Sequence, residues 1–221
     1  MTAHTRHPER PGAGTLAARI GALTPAHIYA PGVELFQQGA VVEDAYFVDA
    51  GLLKLTHSGP DGRELIVGLR FPGCLVGSAA LLAGEPSLAT AITLTRCQLR
   101  RISEDRFLAL LRDDPSASWD VHRIHARELC DYMGHLARLG TLSSRHRLEY
   151  VLRQLVLTLP HNSSQSDIRL LLPLKHWELA RLIAVTPEHL SRLLKQMQQD
   201  GVIRREKGWV IVSHLDRLTA A

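Results

Sequence analysis

The sequence predicts an α+β protein in three parts: an antiparallel β-roll, one long helix, and a C-terminal winged helix-turn-helix. Three observations predict it. Short apolar or alternating runs recur between turn signals from His27 to Ile102. Ser116 to Leu142 holds no proline and spaces its apolar residues at helical intervals. The segment after residue 142 reads helix, strand, helix, helix and hairpin, in that order.

Each part follows from the residues. The first two dozen positions are rich in Pro, Gly, Ala and charge without a sustained period, and are expected to be a mobile tail over 1–24, with one short helix at most around Leu16 to Ile20. The next runs are AYFVDAG, LLKLTHS, RELIVGLRF, CLVG and TAITLTRCQLRRI, separated by Gly51, Pro60-Asp61-Gly62 and Pro72-Gly73. Strands this short, with no crossover helices visible between them, favour a roll or barrel over a parallel sheet, and the roll is assigned to 25–115. Ser103 opens a helix through SEDRFLALLRDD. The long helix, 116–142, carries Val121, Ile124, Leu129, Met133, Leu136 and Leu139 on a narrow line, suited either to packing on the sheet or to a seam with a second copy. Residues 143–221 form the last part. Ser143-Ser144 open a helix ended by Pro160, DIRLLLPL reads as a strand, KHWELARLIAV and TPEHLSRLLKQMQQDG as two helices, and VIRREKGWVIV as a hairpin turning at Lys207-Gly208.

Composition bounds the function. With 45% hydrophobic and 22% charged residues and a mean hydropathy of -0.03, the chain is expected to be globular. It has no apolar run long enough to span a bilayer and no signal-peptide core, so the expected place is the cytoplasm, with no membrane partner. Cys74, Cys97 and Cys130 are scattered and in no paired motif, so they are expected to be free thiols and no metal site is predicted. Net charge is +4, but residues 1–141 carry 14 Lys+Arg against 15 Asp+Glu while 142–221 carry 12 against 7. A basic C-terminal part beside a near-neutral body suggests contact with phosphates. No catalytic fingerprint occurs, and an enzyme is not expected.

The most informative stretch is Thr186 to Gly201. Thr186 can cap a helix, Pro187 fits the first helical position, and Gly201 suits the stop. Leu190, Leu193, Leu194 and Met197 share one face and can pack on Leu179, Leu182 and Ile183, which leaves Glu188, Ser191, Arg192 and Lys195 on the other. In a helix entering the major groove, arginine can bond guanine O6 and N7 together, a carboxylate can accept from cytosine N4, and a lysine one turn on can reach a phosphate. The candidate DNA-binding residues are Glu188, Ser191, Arg192 and Lys195, with Thr186 and His189 beside them. The plain alternative is that Glu188 and Arg192, four apart, form only a surface ion pair.

Several segments in order carry a resemblance: YAPGVELFQQGAVVEDAYFVDAGLLKLT, PDGRELIVGLRFPGCLVG and LKHWELARLIAVTPEHLSRLLKQMQQDGVI. From about residue 25 onward the chain resembles the cyclic-AMP receptor and fumarate-nitrate regulator (CRP/FNR) family. The resemblance implies a cyclic-nucleotide-binding-like jelly roll, a helix that makes a homodimer, and transcription regulation on double-stranded DNA in contact with RNA polymerase. TPEHLSR is similar to the fumarate-nitrate pattern of Glu, two residues, Ser and Arg, here Glu188, Ser191 and Arg192. That pattern implies a two-fold operator with TTGAT-like half-sites. Pro187 stands where the cyclic-AMP branch has a further arginine.

Family members that bind cyclic nucleotides use Gly-Glu for the ribose and Arg-Ser or Arg-Thr for the phosphate. The matching stretch is VGSAALLAGEPSLATAI, so the effector-pocket candidates are Gly77, Ser78, Ala79, Ser87 and Thr90, with Ser78 in the place of the Glu and no arginine near Ser87 to Thr90. An unpaired phosphate would be costly there, which argues against cyclic AMP. Arg96 reads as a surface residue of a strand. No cysteine precedes Cys74, which argues against the family's iron-sulfur cluster. Haem, with Cys74 or one of 12 histidines as axial ligand, stays an alternative, as do another small effector, a thiol switch at Cys130, and a module whose helix-turn-helix meets protein instead of DNA.

Overall fold

The computed structural model describes residues 13–159, 162–163, 167–206, 209–213 and 215–218. The chain divides into two compact units, 1–132 and 133–221.

The first unit opens on α1 (Ala13–Leu23) and continues through β1 (Ala26–Tyr29), β2 (Glu34–Phe36), β3 (Asp44–Ala50), β4 (Leu53–Ser58), β5 (Glu64–Arg70) and β6 (Leu75–Val76). A short helix, α2 (Ser78–Ala83), precedes β7 (Thr90–Thr93) and β8 (Cys97–Ser103), after which come α3 (Glu104–Asp113) and the part of α4 (Pro115–Thr141) up to residue 132. The strands make two four-stranded antiparallel sheets, ordered β1-β8-β3-β6 and β2-β7-β4-β5. This is the expected roll.

Alternation along β3 shows how the sequence builds two cores at once. Tyr46 and Val48 face Leu53, Ala91 and Leu99 in one apolar cluster, while Ala45 and Phe47 face Leu16, Ile20, Ile102, Phe107, Val121 and Ile124 in another. A period of two sends successive side chains to opposite faces, so one strand serves both clusters. The second cluster corrects one expectation. Residues 13–23 are no mobile tail: α1 buries Leu16 and Ile20 completely, because helices cover the outer face of a sheet that would otherwise expose Ala45 and Phe47. The opening turns of the long helix join the same cluster: Ala117, Val121 and Ile124 of α4 belong to the first unit's core. Asp114 ties these pieces together. Its Oδ1 accepts the Ala117 backbone N–H at 3.0 Å as a cap for α4, and its Oδ2 accepts from Arg19 of α1 at 2.7 Å.

The second unit holds α5 (Ser144–Thr158), β9 (Asn162–Ser163), β10 (Ile168–Leu171), α6 (His176–Leu182), α7 (Pro187–Gln199), β11 (Ile203–Glu206) and β12 (Trp209–Val212). Its sheet runs β11-β12-β10-β9, all antiparallel. Leu148, Leu152, Leu155 and Val156 of α5, Leu170 of β10, and Val210 to Val212 of β12 are buried. The turn expected at Lys207-Gly208 lies outside the described residues, as does the expected tail before residue 13.

Candidate nucleic-acid interface and sensor site

The turn between α6 and α7 fixes the geometry of the second unit's exposed face. Ala184 takes a left-handed backbone (φ 52°), and its N–H and that of Val185 bond the carbonyls of Arg181 and Ala180. A left-handed alanine is strained, so this turn is held by its surroundings. Arg147 of α5 supplies part of that hold, donating to the Ile183 carbonyl at 2.9 Å and to the Leu142 carbonyl at 2.7 Å. Thr186 then caps α7, its Oγ1 accepting from the His189 N–H at 3.2 Å, with Pro187 at the first helical position. At the other end Gly201 adopts φ 68°, the left-handed stop that glycine takes without strain.

Leu190, Leu193, Leu194 and Met197 are buried, as are Leu179, Leu182 and Ile183 on the α6 side. Glu188, Ser191, Arg192 and Lys195 all stand exposed on the opposite face of α7. The Glu188 carboxyl is held below its usual range, first by its own backbone N–H, then by the Thr186 hydroxyl, with the charges of Arg192 and His176 adding to the effect. The structure sets His189 apart from this row: it is half-buried, and its Nε2 lies 2.9 Å from the Ser144 hydroxyl of α5. One residue that sequence reasoning missed joins the row. His176, the first residue of α6, brings its Nε2 to 3.3 Å from the Ser191 hydroxyl. Only the crossing of two helices makes them neighbours. Elsewhere in the second unit, Lys175, Arg181 and Arg205 are exposed, and Arg204 pairs with Asp167.

In the first unit, Gly77 takes φ 86° at the start of α2, where a Cβ would lie 2.7 Å from the Asp44 carbonyl, so only glycine fits. Ser78 is buried, and its hydroxyl lies 2.9 Å from Nε2 of His125 on α4. Ala79 is exposed. Ser87 spends its hydroxyl on its own turn, donating to the Ala89 carbonyl at 2.7 Å, while Thr90 Oγ1 accepts the Gln38 N–H at 3.0 Å. The loop over Gln38 and Gly39 thus joins Ser87 and Thr90, since the Gly39 N–H also donates to the Ser87 carbonyl. Arg96 is exposed in the turn before β8, not within a strand.

Sequence reasoning also missed a buried polar cluster. Arg70 of β5, almost enclosed, lies 3.5 Å from Glu128 of α4, donates to the Tyr132 hydroxyl and stacks 5.0 Å from the Tyr132 ring centre. Burial alone would lower the guanidinium, but Glu128 and Tyr132 raise it on balance. Beside it, His125 is pushed below its ordinary value by burial, then by the charges of His122 and Arg70. No signal in the sequence pairs β5 with α4. Cys74 and Cys97 are fully buried in the apolar cluster between the sheets, and Cys130 is exposed on α4.

Comparison with known proteins agrees with both units. Residues 26–114 match the cyclic nucleotide-binding domain, and residues 146–221 match the Crp-like helix-turn-helix domain. The chain is 28% identical over 185 residues to the cyclic AMP receptor protein of Thermus thermophilus, covering 84% of this chain and 82% of that relative. It is 25% identical over 187 residues to the CRP-like cAMP-activated global transcriptional regulator of Mycobacterium tuberculosis, covering 85% and 83%. Among solved structures, the c-di-GMP responsive global regulator CLP of Xanthomonas campestris superposes with a TM-score of 0.75 at 24% identity, over 90% of this chain and 98% of that one. No helix among the described residues is long and apolar enough to cross a membrane.

Proposed function

The chain belongs to the CRP/FNR family of transcription regulators and carries that family's helix-turn-helix DNA-binding domain, and from this premise we propose that it is a cytoplasmic homodimer that reads a two-fold operator with TTGAT-like half-sites. The observation that carries the reading is the exposed row Glu188, Ser191, Arg192 and Lys195 on a helix capped at both ends and seated on a buried apolar face. In the major groove Arg192 would pair with guanine, Glu188 would accept from cytosine, and Ser191 would meet a neighbouring base. The backbone N–H and the Thr186 hydroxyl that hold the Glu188 carboxyl low favour its ionised, accepting form.

The dimer reading rests on α4. Ala126, Leu129, Met133, Leu136 and Gly140 are all exposed and follow one another at steps of three and four. Leu129, Met133 and Leu136 are 60%, 62% and 67% exposed, an apolar line that a second copy would cover as a coiled-coil seam. Two recognition helices about 34 Å apart would then meet successive turns of the duplex. The family resemblance adds RNA polymerase as a further partner.

Two relatives are named for cyclic AMP, yet the reading for this chain is regulation without it. The hydroxyls of Ser78, Ser87 and Thr90 are engaged within the fold, and the stretch from Glu85 to Ile92 offers no cation for a cyclic phosphate. No haem, iron-sulfur cluster or other cofactor is part of the proposal, and it includes no enzymatic step.

Fluorescence anisotropy of the full chain on a TTGAT-N4-ATCAA duplex and on a scrambled one, at two salt concentrations without added ligand, tests this directly. Wild type should prefer the operator. Arg192→Ala should lose about 1–3 kcal/mol of that preference. Equal binding to both duplexes by wild type would overturn the operator.

A further inference from the structure

We propose that His176 is a positioning residue for DNA reading, which fixes the hydrogen-bonding role that Ser191 presents to a base. The inference rests on the reading that the exposed face of α7 enters the major groove. His176 belongs to a different helix from the residues that read, and its Nε2 lies 3.3 Å from the Ser191 hydroxyl. Both side chains are exposed on the same face of the unit, so a base edge approaching Ser191 meets a hydroxyl that already has one partner.

The chemistry follows from what a serine hydroxyl can offer. It has a single proton to donate and lone pairs to accept with. Where Nε2 accepts that proton, Ser191 is left to the DNA as an acceptor only, suited to the amino groups of cytosine or adenine. Where Nε2 carries the hydrogen and donates it, the serine proton is free for an acceptor edge on guanine, adenine or thymine. Either way the imidazole removes a rotor and narrows what Ser191 can read. A serine without that neighbour would turn to suit any base and discriminate poorly.

The local build makes His176 a firm support. Glu178 caps the start of α6, its Oε2 accepting the Lys175 backbone N–H at 2.7 Å. Glu178, Leu179, Ala180 and Leu182 are buried, so α6 cannot roll without breaking the core, and Arg181 stacks 4.6 Å over the Trp177 ring beside His176.

The test uses the full chain and the half-site it selects from random DNA. Binding is measured by anisotropy on duplexes carrying every single base-pair change in that half-site and on a scrambled duplex. His176→Ala, His176→Gln, Ser191→Ala and the His176→Ala/Ser191→Ala pair are compared with wild type. Ser191→Ala should flatten the preference at one base pair, and His176→Ala should flatten the same one by about threefold to tenfold, the range of one neutral hydrogen bond. The pair should do no more than Ser191→Ala alone, because both act through one contact. His176→Gln, whose amide reaches to about the position of Nε2, should keep the preference. A His176→Ala variant that weakens every duplex equally, scrambled DNA included, would mark a phosphate contact and overturn the proposal. So would unchanged preference in His176→Ala, or a Gln variant as permissive as Ala. If Ser191→Ala leaves all preferences intact, the reading of α7 fails at this residue and the inference falls with it.

Discussion

Arg192 and Lys195 stand three residues apart on one exposed helix face, yet the proposed reading gives them different work. A guanidinium forks onto two acceptors of one base, whereas an ammonium is a point charge that suits the phosphate backbone. Lys195→Ala should therefore weaken operator and scrambled DNA to a similar degree and lower the slope of log affinity against log salt by about one, read from a salt titration. A second expectation at this scale concerns acid. His125 sits below its ordinary value of 6.5 because it is buried and flanked by His122 and Arg70. The unfolded chain then binds the proton more readily than the folded one, so stability is full above about pH 6.5 and declines as pH falls below it. His135, lowered by burial and by Arg138 and Arg147, acts in the same sense. Thermal melts from pH 7.5 to 5 should show falling Tm, with a shallower fall in His125→Gln; an equal slope would remove His125 from the account. Cys97 belongs at this scale too. Burial raises its thiol, so it behaves as a small core residue and not as a reactive one.

Among elements, the most consequential junction is that of β5 with α4. Arg70 and Glu128 are about nine-tenths enclosed by side-chain exposure (9% and 11%), and Tyr132 completes the cluster. Neutralising one partner leaves the other charge buried without its complement, which costs far more than the pair gains. Glu128→Gln is expected to destabilise the first unit by about 3 kcal/mol, and the Arg70→Met/Glu128→Leu pair to recover most of that loss, measured by urea unfolding. A small loss in the single variant would show that water reaches the cluster. The α6–α7 turn makes a similar point in backbone terms. Its left-handed Ala184 stays in place because Arg147 bonds the carbonyl next to it and the apolar faces of both helices are already seated.

For the molecule as a whole, α4 carries two different faces along one helix. Its opening turns bury Ala117, Val121 and Ile124, and further on it exposes Leu129, Met133 and Leu136. An apolar line of that kind is expected to be covered, and a second copy offers the same line in return. Met133→Glu would place a charge in the seam and should give monomers in sedimentation velocity, with operator affinity falling because the two half-sites are no longer held together. A variant still dimeric would place the seam elsewhere.

The order of elements, the helix limits and the exposed row on α7 were legible in the sequence because each is set locally. Thr186, Pro187 and Gly201 punctuate α7 through backbone preferences, and the spacing of Leu190, Leu193, Leu194 and Met197 assigns its buried face with no knowledge of the rest of the fold. The roll was legible for the same reason, from alternation and turns. What the sequence left open is whatever depends on two distant segments meeting. It read residues 13–23 as tail, since the apolar line of α1 is short and its partners Phe47, Ile102 and Phe107 lie far along the chain. It could not pair Arg70 with Glu128, turn Ser78 to His125, or set His176 beside Ser191. Local periodicity therefore determined which face of α7 is exposed and which is buried, while the tertiary structure alone decided which side chains lie beside that face and which fill the roll, because those contacts exist only after the chain has closed on itself.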